Sequence, residues 1–389
     1  MTGAVQALLD EGVRDGVFPA VQASVWHQGR EVLRATAGES AGSRISEATP
    51  FDLASLTKIL CTAPCFIAAW AEGGLGPSTP LSRWIDGSPL AKAGATLGDL
   101  LAHRSGLPAW SPFFAVVLHT VPELRRADCP PDTRLAVRTE VRDAAARSPL
   151  DAHPGTRTLY SDIGYILAGE MLGEVAETPL DALHARIAER LGVAIHFHRL
   201  STRGRDARDP CGGRWESIPP TGSERPRPPA PGQEKRWESL PSEPSRPGEV
   251  DDDNAWVLDG VAGHAGLFGT ATEVARFGGR VLEELGGAGR LAPAALWERA
   301  VTPRAGDTYG LGFDTPSPGA SSAGRFFGDT PPGAFGHPGF TGTSLWVDRA
   351  RQLSVALLTN RTALGRDNLQ IQQFRPRFHD TVVEALRLG

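Results

Sequence analysis

Strand-forming patterns gather at the two ends of this 389-residue chain, with helical patterns between them, so a sheet has to be assembled from both termini. Ala20-Val21-Gln22-Ala23-Ser24-Val25-Trp26 alternates apolar and polar side chains, and Gly29-Arg30 turns it into Glu31-Val32-Leu33-Arg34-Ala35, a predicted hairpin. Far along the chain, residues 309–313, 344–347 and 353–359 supply further strands. A helix over 367–388 follows, which Pro376 is expected to kink or interrupt. Helical patterns fill the middle at 56–71, 96–103, 132–147, 163–175 and 180–191. The expected fold is α+β: a mostly antiparallel sheet from the N- and C-terminal segments, flanked by helices, with an inserted helical subdomain. Residues 1–85 and 255–389 would form the α/β part and 86–200 the helical part of a single unit spanning 1–389. At 40% hydrophobic residues the chain can bury a core of that size.

Residues 202–250 stand apart. From 210 to 247 the chain is dense in proline, glycine, serine and arginine and poor in aliphatics, so an extended or mobile insertion is expected there. It holds a near-repeat, Arg214-Trp215-Glu216-Ser217-Ile218-Pro219 and Arg236-Trp237-Glu238-Ser239-Leu240-Pro241. Two copies are too few for a solenoid. Either the tryptophans dock on the body, or the segment is a flap over a site, since long loops in compact enzymes are often lids.

Three short segments carry chemistry. Ser55-Leu56-Thr57-Lys58 opens a helical pattern, and residues three apart on a helix share a face, so Lys58, if neutral, can take the Ser55 proton and make the hydroxyl a nucleophile. Taken alone, the tetrad reads first as a solvated helix start with an exposed lysine, and two further segments reverse that reading. Tyr160-Ser161-Asp162 opens a second helix, where a phenol beside a lysine can pass a proton to a leaving group; the plainer alternative is a core tyrosine with a helix cap. His337-Pro338-Gly339-Phe340-Thr341-Gly342 precedes an apolar strand, where a glycine lets a substrate lie along the strand edge and backbone N–H groups face an oxyanion. An ordinary glycine-rich turn has the same composition.

In this order and spacing, Ser-x-x-Lys, Tyr-x-Asp and His-x-Gly resemble the serine β-lactamase and penicillin-binding-protein superfamily, and within it the class C β-lactamase, D-aminopeptidase and carboxylesterase branch. Further stretches are similar to that branch: Leu100-Leu101-Ala102-His103-Arg104-Ser105-Gly106-Leu107-Pro108, Asn254-Ala255-Trp256 with Val261-Ala262-Gly263-His264-Ala265-Gly266-Leu267-Phe268, and Phe335-Gly336-His337 through Trp346-Val347-Asp348. The likeness covers nearly the whole chain outside the insertion. It implies a β-lactamase/transpeptidase-like fold and a serine hydrolase working through an acyl-enzyme on an ester or amide. Ser55, Lys58 and Tyr160 would be catalytic, with Asp162, His337, Gly339 and Phe340 binding substrate and the Ser55 and Phe340 N–H groups holding the oxyanion. The strict β-lactamase pattern has asparagine where this chain has Asp162, and lysine followed by a hydroxyl residue where it has His337 and Pro338. An anionic β-lactam is therefore expected to be a poor substrate. A neutral ester, or an amide bearing an amine that Asp162 pairs with, suits better. Asp162 is alternatively an internal partner of Lys58. An acyltransferase or thioesterase-type cyclase, or a catalytically silent binding protein, remain alternatives on the same scaffold; retention of Ser55, Lys58 and Tyr160 argues against the silent one.

The formal charge of −5 and the scattered basic residues give no footprint for nucleic acid or a membrane surface, leaving a small-molecule ester, amide or peptide as the expected partner. Residues 1–12 lack the basic flank and apolar stretch of a secretory signal, and no window offers some twenty uninterrupted apolar residues, so a cytoplasmic location is expected. The four cysteines are expected to be free thiols, Cys61 and Cys65 buried behind Ser55 and Cys129 and Cys211 in loops. His196-Phe197-His198 with Cys211, and Asp251-Asp252-Asp253, lack complete ligand sets and are expected to be solvated loops. No metal and no cofactor is expected.

Overall fold

The computed structural model describes residues 2–40, 42–126, 129–202, 217–222, 224–227, 240–317, 319 and 321–388. Its strands in chain order are β1 (Ala20–His27), β2 (Arg30–Ser40), β3 (Ser43–Arg44), β4 (Phe51–Asp52), β5 (His196–Phe197), β6 (Glu224–Arg225), β7 (Glu243–Pro244), β8 (Leu267–Gly269), β9 (Ala334–Pro338), β10 (Ser344–Asp348) and β11 (Leu353–Thr359). Its helices are α1 (Thr2–Arg14), α2 (Ala63–Ala71), α3 (Pro89–Lys92), α4 (Leu97–Leu101), α5 (Phe113–Thr120), α6 (Pro131–Ala146), α7 (Asp162–Val175), α8 (Leu180–Leu191), α9 (Asp253–Val257), α10 (Ala271–Leu285), α11 (Ala294–Val301) and α12 (Ile371–Ala385).

The predicted hairpin forms as β1 and β2, and β1 then pairs antiparallel with β11 from Val21↔Thr359 to His27↔Leu353. The main sheet runs β3-β2-β1-β11-β10-β9, so the two chain ends meet at its centre. Both faces are covered. Val5, Leu8 and Leu9 of α1, spaced one helical turn apart, pack with Phe374, Phe378 and Val382 of α12 against one face. On the other, α10 lies across β1, β10 and β11 with Val274, Phe277 and Val281 buried. Pro376 does not interrupt α12, whose apolar residues on either side, Phe374 and Phe378, are held in the core. A second sheet, β4-β8-β5, joins the main layer to the helical part.

Residues 309–313 are not a strand. Tyr309 bridges Asp314, just beyond the segment, and Asp314 in turn bridges Gly336 of β9, both as isolated bridges. The alternation Tyr-Gly-Leu-Gly-Phe suggested extended chain, but Gly312 has φ +104° and a Cβ on Gly310 would lie 2.1 Å from the Ala300 carbonyl oxygen. The glycines fold this segment into a tight turn.

The helical pattern from residue 56 also differs in detail. A 3-10 turn, Ala54–Leu56, is followed by a π turn, Lys58–Thr62, and only then by α2. Ala54–Ala71 is the one helical stretch among the described residues long and apolar enough to cross a membrane; 78% of it is buried inside the protein, as in a core helix. Cys61 and Cys65 lie in this core and are unbridged. Trp215, Trp237 and Cys211 fall outside the described residues.

Candidate active site

Ser55 sits on a strained corner. β4 brings the chain in beside β8, the Leu53 N–H bonds the Leu267 carbonyl at 2.9 Å, and Ala54 then takes φ +47°. A left-handed residue bearing a Cβ costs about 1–2 kcal/mol. The Asp52 carboxylate offsets this by accepting the Ala54 N–H at 2.8 Å. The corner leaves Ser55 partly exposed while Lys58, one turn on, is fully enclosed.

The Lys58 ammonium directs its three hydrogens to three oxygens: Asp162 Oδ1 at 2.7 Å, Ser55 Oγ at 3.1 Å and the His264 carbonyl at 3.3 Å. The Tyr160 hydroxyl donates to Ser55 Oγ from the other side at 2.9 Å. Three segments distant in sequence, around residues 55–58, 160–162 and 264, thus converge on the Ser55–Lys58 pair. Burial lowers the Lys58 pKa, opposed by the Asp162 charge and hydrogen bond. Burial, then the Asp162 charge, holds Tyr160 well above the ordinary phenol range.

Asp162 is placed by capping. Ser161 is the N-cap of α7, its hydroxyl accepting the Gly164 N–H at 3.3 Å and donating to the Pro108 carbonyl at 2.7 Å. The next residue, Asp162, is thereby turned toward Lys58, as an internal partner. His103 fixes Tyr160 from behind: its Nδ1 accepts the Ser161 N–H at 3.0 Å and its ring lies 4.5 Å from the tyrosine ring. Burial holds the His103 pKa well below its usual value, so the ring is neutral.

His337 is enclosed at 1% exposure, its Nδ1–H donating to the Pro338 carbonyl at 2.6 Å and its ring 5.7 Å from Tyr160. Burial and the Lys58 charge push its pKa down to about 3, so it does not replace the fixed cation that a lysine would provide. Gly339 donates to the Thr343 carbonyl at 2.7 Å, and a Cβ there would lie 1.9 Å from Thr343 Oγ1 and 3.1 Å from the Leu53 carbonyl oxygen. Glycine is required at this position to close the end of β9 onto the Ser55 turn. Phe340 follows at the rim, 47% exposed, its ring flanked by the Arg361 and Arg366 guanidinium groups at 4.8 and 5.4 Å.

Two participants were not singled out from the sequence. Tyr309 walls the site, 4.7 Å from the His103 ring and 6.1 Å from that of Tyr160. Asp252 accepts both the Ala255 N–H, as N-cap of α9, and His264 Nε2–H, each at 2.8 Å. Burial pushes the Asp252 carboxyl up, but His264 outweighs it and keeps the group ionised. It fixes the residue whose carbonyl holds Lys58.

The acidic run 251–253 is therefore not a solvated loop. Asp251 and Asp253 are buried, and Arg225 donates to Asp253 Oδ1 at 3.0 Å and to the Asp251 carbonyl at 2.6 Å, while Arg227 pairs with Asp251. Paired guanidinium groups make carboxylates tolerable in such a place, which composition does not reveal. Nor is 196–198 solvated: His198 is buried, stacked flat on Phe268 at 4.3 Å. No group of three or more metal-ligating side chains is present among the described residues.

The Beta-lactamase family model matches residues 5–374. Esterase EstB of Burkholderia gladioli is 29% identical over 94% of this chain and 92% of its own length. An N-acetylmuramyl-L-alanine amidase of Bacillus subtilis (strain 168) is 27% identical over 86% of this chain and 72% of its own. Among solved structures, a penicillin-binding protein homolog from Caulobacter crescentus superposes with a TM-score of 0.68 at 18% identity, covering 98% of this chain and 96% of that one. D-amino acid amidase from Ochrobactrum anthropi SV3 superposes with a TM-score of 0.66, also at 18% identity, covering 99% of each chain. A family match that runs almost the length of the chain settles membership: this protein belongs to the Beta-lactamase family and is a serine hydrolase.

Proposed function

We propose that the protein hydrolyses small neutral esters or amides through an acyl group carried on Ser55. The observation that supports this most is the placement of Lys58 Nζ and Tyr160 OH at 3.1 and 2.9 Å on either side of Ser55 Oγ. Once Lys58 has lost its proton, Ser55 Oγ attacks the carbonyl carbon and the hydroxyl proton passes to Lys58. The Ser55 and Phe340 N–H groups face the oxyanion. As the carbon–leaving-group bond breaks, Tyr160 gives its proton to the departing oxygen or nitrogen and is reprotonated from Lys58. Water then attacks the acyl-Ser55 ester by the same route reversed, releasing the acid.

Asp162 is engaged by Lys58, which leaves it a part in setting the lysine's charge rather than in pairing with a substrate amine. With His337 neutral and enclosed, and Asp162 and Asp252 near the lysine, a β-lactam carboxylate gains little here. The esterase and amidase names of the relatives support the same substrate classes, and favour neither an acyltransferase nor a silent scaffold. Initial rates on p-nitrophenyl esters, D-amino-acid amides and nitrocefin test the proposal. It expects turnover on the first or second set, and dominance of nitrocefin would refute it.

A further inference from the structure

Asp52 is the meeting point of three segments. Its Oδ1 accepts the Ala54 N–H at 2.8 Å, its Oδ2 accepts the Asp251 N–H at 2.5 Å, and its own carbonyl accepts the Thr341 hydroxyl at 3.0 Å. Ala54 precedes Ser55. Thr341 follows Phe340. Asp251 leads out of the proline-rich insertion. The side chain of Asp52 is enclosed, at 1% exposure, where an acceptor without partners is costly.

Each of these bonds constrains a different piece of the chemistry. The Ala54 N–H is the one through which a side chain holds the residue at φ +47°, and release of that strain would swing the Ser55 Cβ. The Thr341 hydroxyl ties the turn of Phe340 to the same strand, reinforced next door by Thr343 Oγ1–H to the Leu53 carbonyl at 3.2 Å. The Asp251 N–H is in turn held in place from the insertion. Arg225 bonds the Asp251 carbonyl at 2.6 Å, and Arg227 takes its side chain. Burial and the Asp251 charge push the Asp52 carboxyl up to about 7, with the Arg225 charge acting the other way. The insertion thus supplies cations that let acidic groups remain beside the Ser55 turn.

We infer that Asp52 is a positioning residue that holds the Ser55 turn and the Phe340 turn in register, and that Arg225 and Arg227 of the insertion serve it by clamping Asp251. The inference rests on the reading of Ser55 as nucleophile and Phe340 N–H as oxyanion donor. The insertion then has a structural task at the active site independent of any lid.

The test uses the full-length protein. Asp52→Asn retains one acceptor oxygen for the Ala54 N–H but turns an amide NH2 toward the Asp251 N–H. Thr341→Val deletes only the hydroxyl that reaches Asp52, and carries the test if Asp52→Asn does not fold. In folded variants, kcat for p-nitrophenyl acetate is expected to fall by about tenfold or more with KM within about threefold of wild type, because small misplacements of reacting groups cost up to about a hundredfold. The rate of fluorophosphonate labelling of Ser55 should fall in parallel. Wild-type kcat, or a loss confined to KM, would overturn the inference, as would labelling of Ser55 at the wild-type rate. A label on a serine other than Ser55 in the wild type would instead remove the nucleophile reading, and this inference with it.

Discussion

Lys58 Nζ lies 2.7 Å from Asp162 Oδ1, and the lysine of this pair is fully enclosed. The carboxylate keeps a proton on a base that burial would otherwise strip. Asp162→Asn removes the stabilising charge, so the Lys58 pKa falls. Neutral lysine, the form that acts as base, then persists to more acid pH, and the acidic limb of the kcat/KM profile should move to lower pH. A pH-rate profile of wild type and variant checks the sign; an unchanged limb would mean that Lys58 is not the group it reports.

Removal of either proton-handling group is predicted to be severe. Lys58→Ala and Tyr160→Phe should each lower kcat by at least about a hundredfold, the usual scale for general acid–base groups. Steady-state kinetics on the best ester checks this. Near-normal rates in both variants would leave Ser55 without a base.

Much of this was legible in the sequence, and the exceptions have physical causes. Ser55, Lys58 and Tyr160 stood out because their spacing and order are local signatures, β1 because its apolar and polar side chains alternate, and β10 and β11 as short apolar runs, the pattern of strands buried on both faces. The segment 309–313 imitated that alternation with glycines, which concealed both its turn and the role of Tyr309. The run 251–253 is acidic in any window, and only the fold brings Arg225 and Arg227 onto it. Gly339 reads from the sequence as a place where a substrate could lie along the strand edge, and the fold adds that a Cβ there would collide with Thr343 Oγ1 and crowd the Leu53 carbonyl.

The insertion bears on stability through these arginines. Replacing residues 210–247 with a short Gly-Ser link removes Arg225 and Arg227 and leaves the buried Asp251 and Asp253 with Arg366, at 3.3 and 3.7 Å, in place of three guanidinium groups. Arg225→Gln alone should cost about 3–5 kcal/mol, the scale for breaking a buried pair, whereas loop length itself costs little. Urea unfolding of the two variants decides it. Wild-type midpoints in both would show that the pairs contribute nothing net.

Substrate preference follows from the missing cation. With His337 neutral and Pro338 lacking a hydroxyl, short-chain neutral esters should be hydrolysed much faster than nitrocefin or penicillin G. Parallel kcat/KM measurements check it, and faster cleavage of nitrocefin than of the best ester would contradict it.

The most direct test of the account is the identity of the residue that carries the acyl group. A fluorophosphonate probe followed by peptide mass analysis is predicted to label Ser55 alone, and Ser55→Ala to abolish both labelling and hydrolysis. Label on a different serine, or turnover retained in Ser55→Ala, would contradict the claim that the hydroxyl between Lys58 and Tyr160 is the nucleophile.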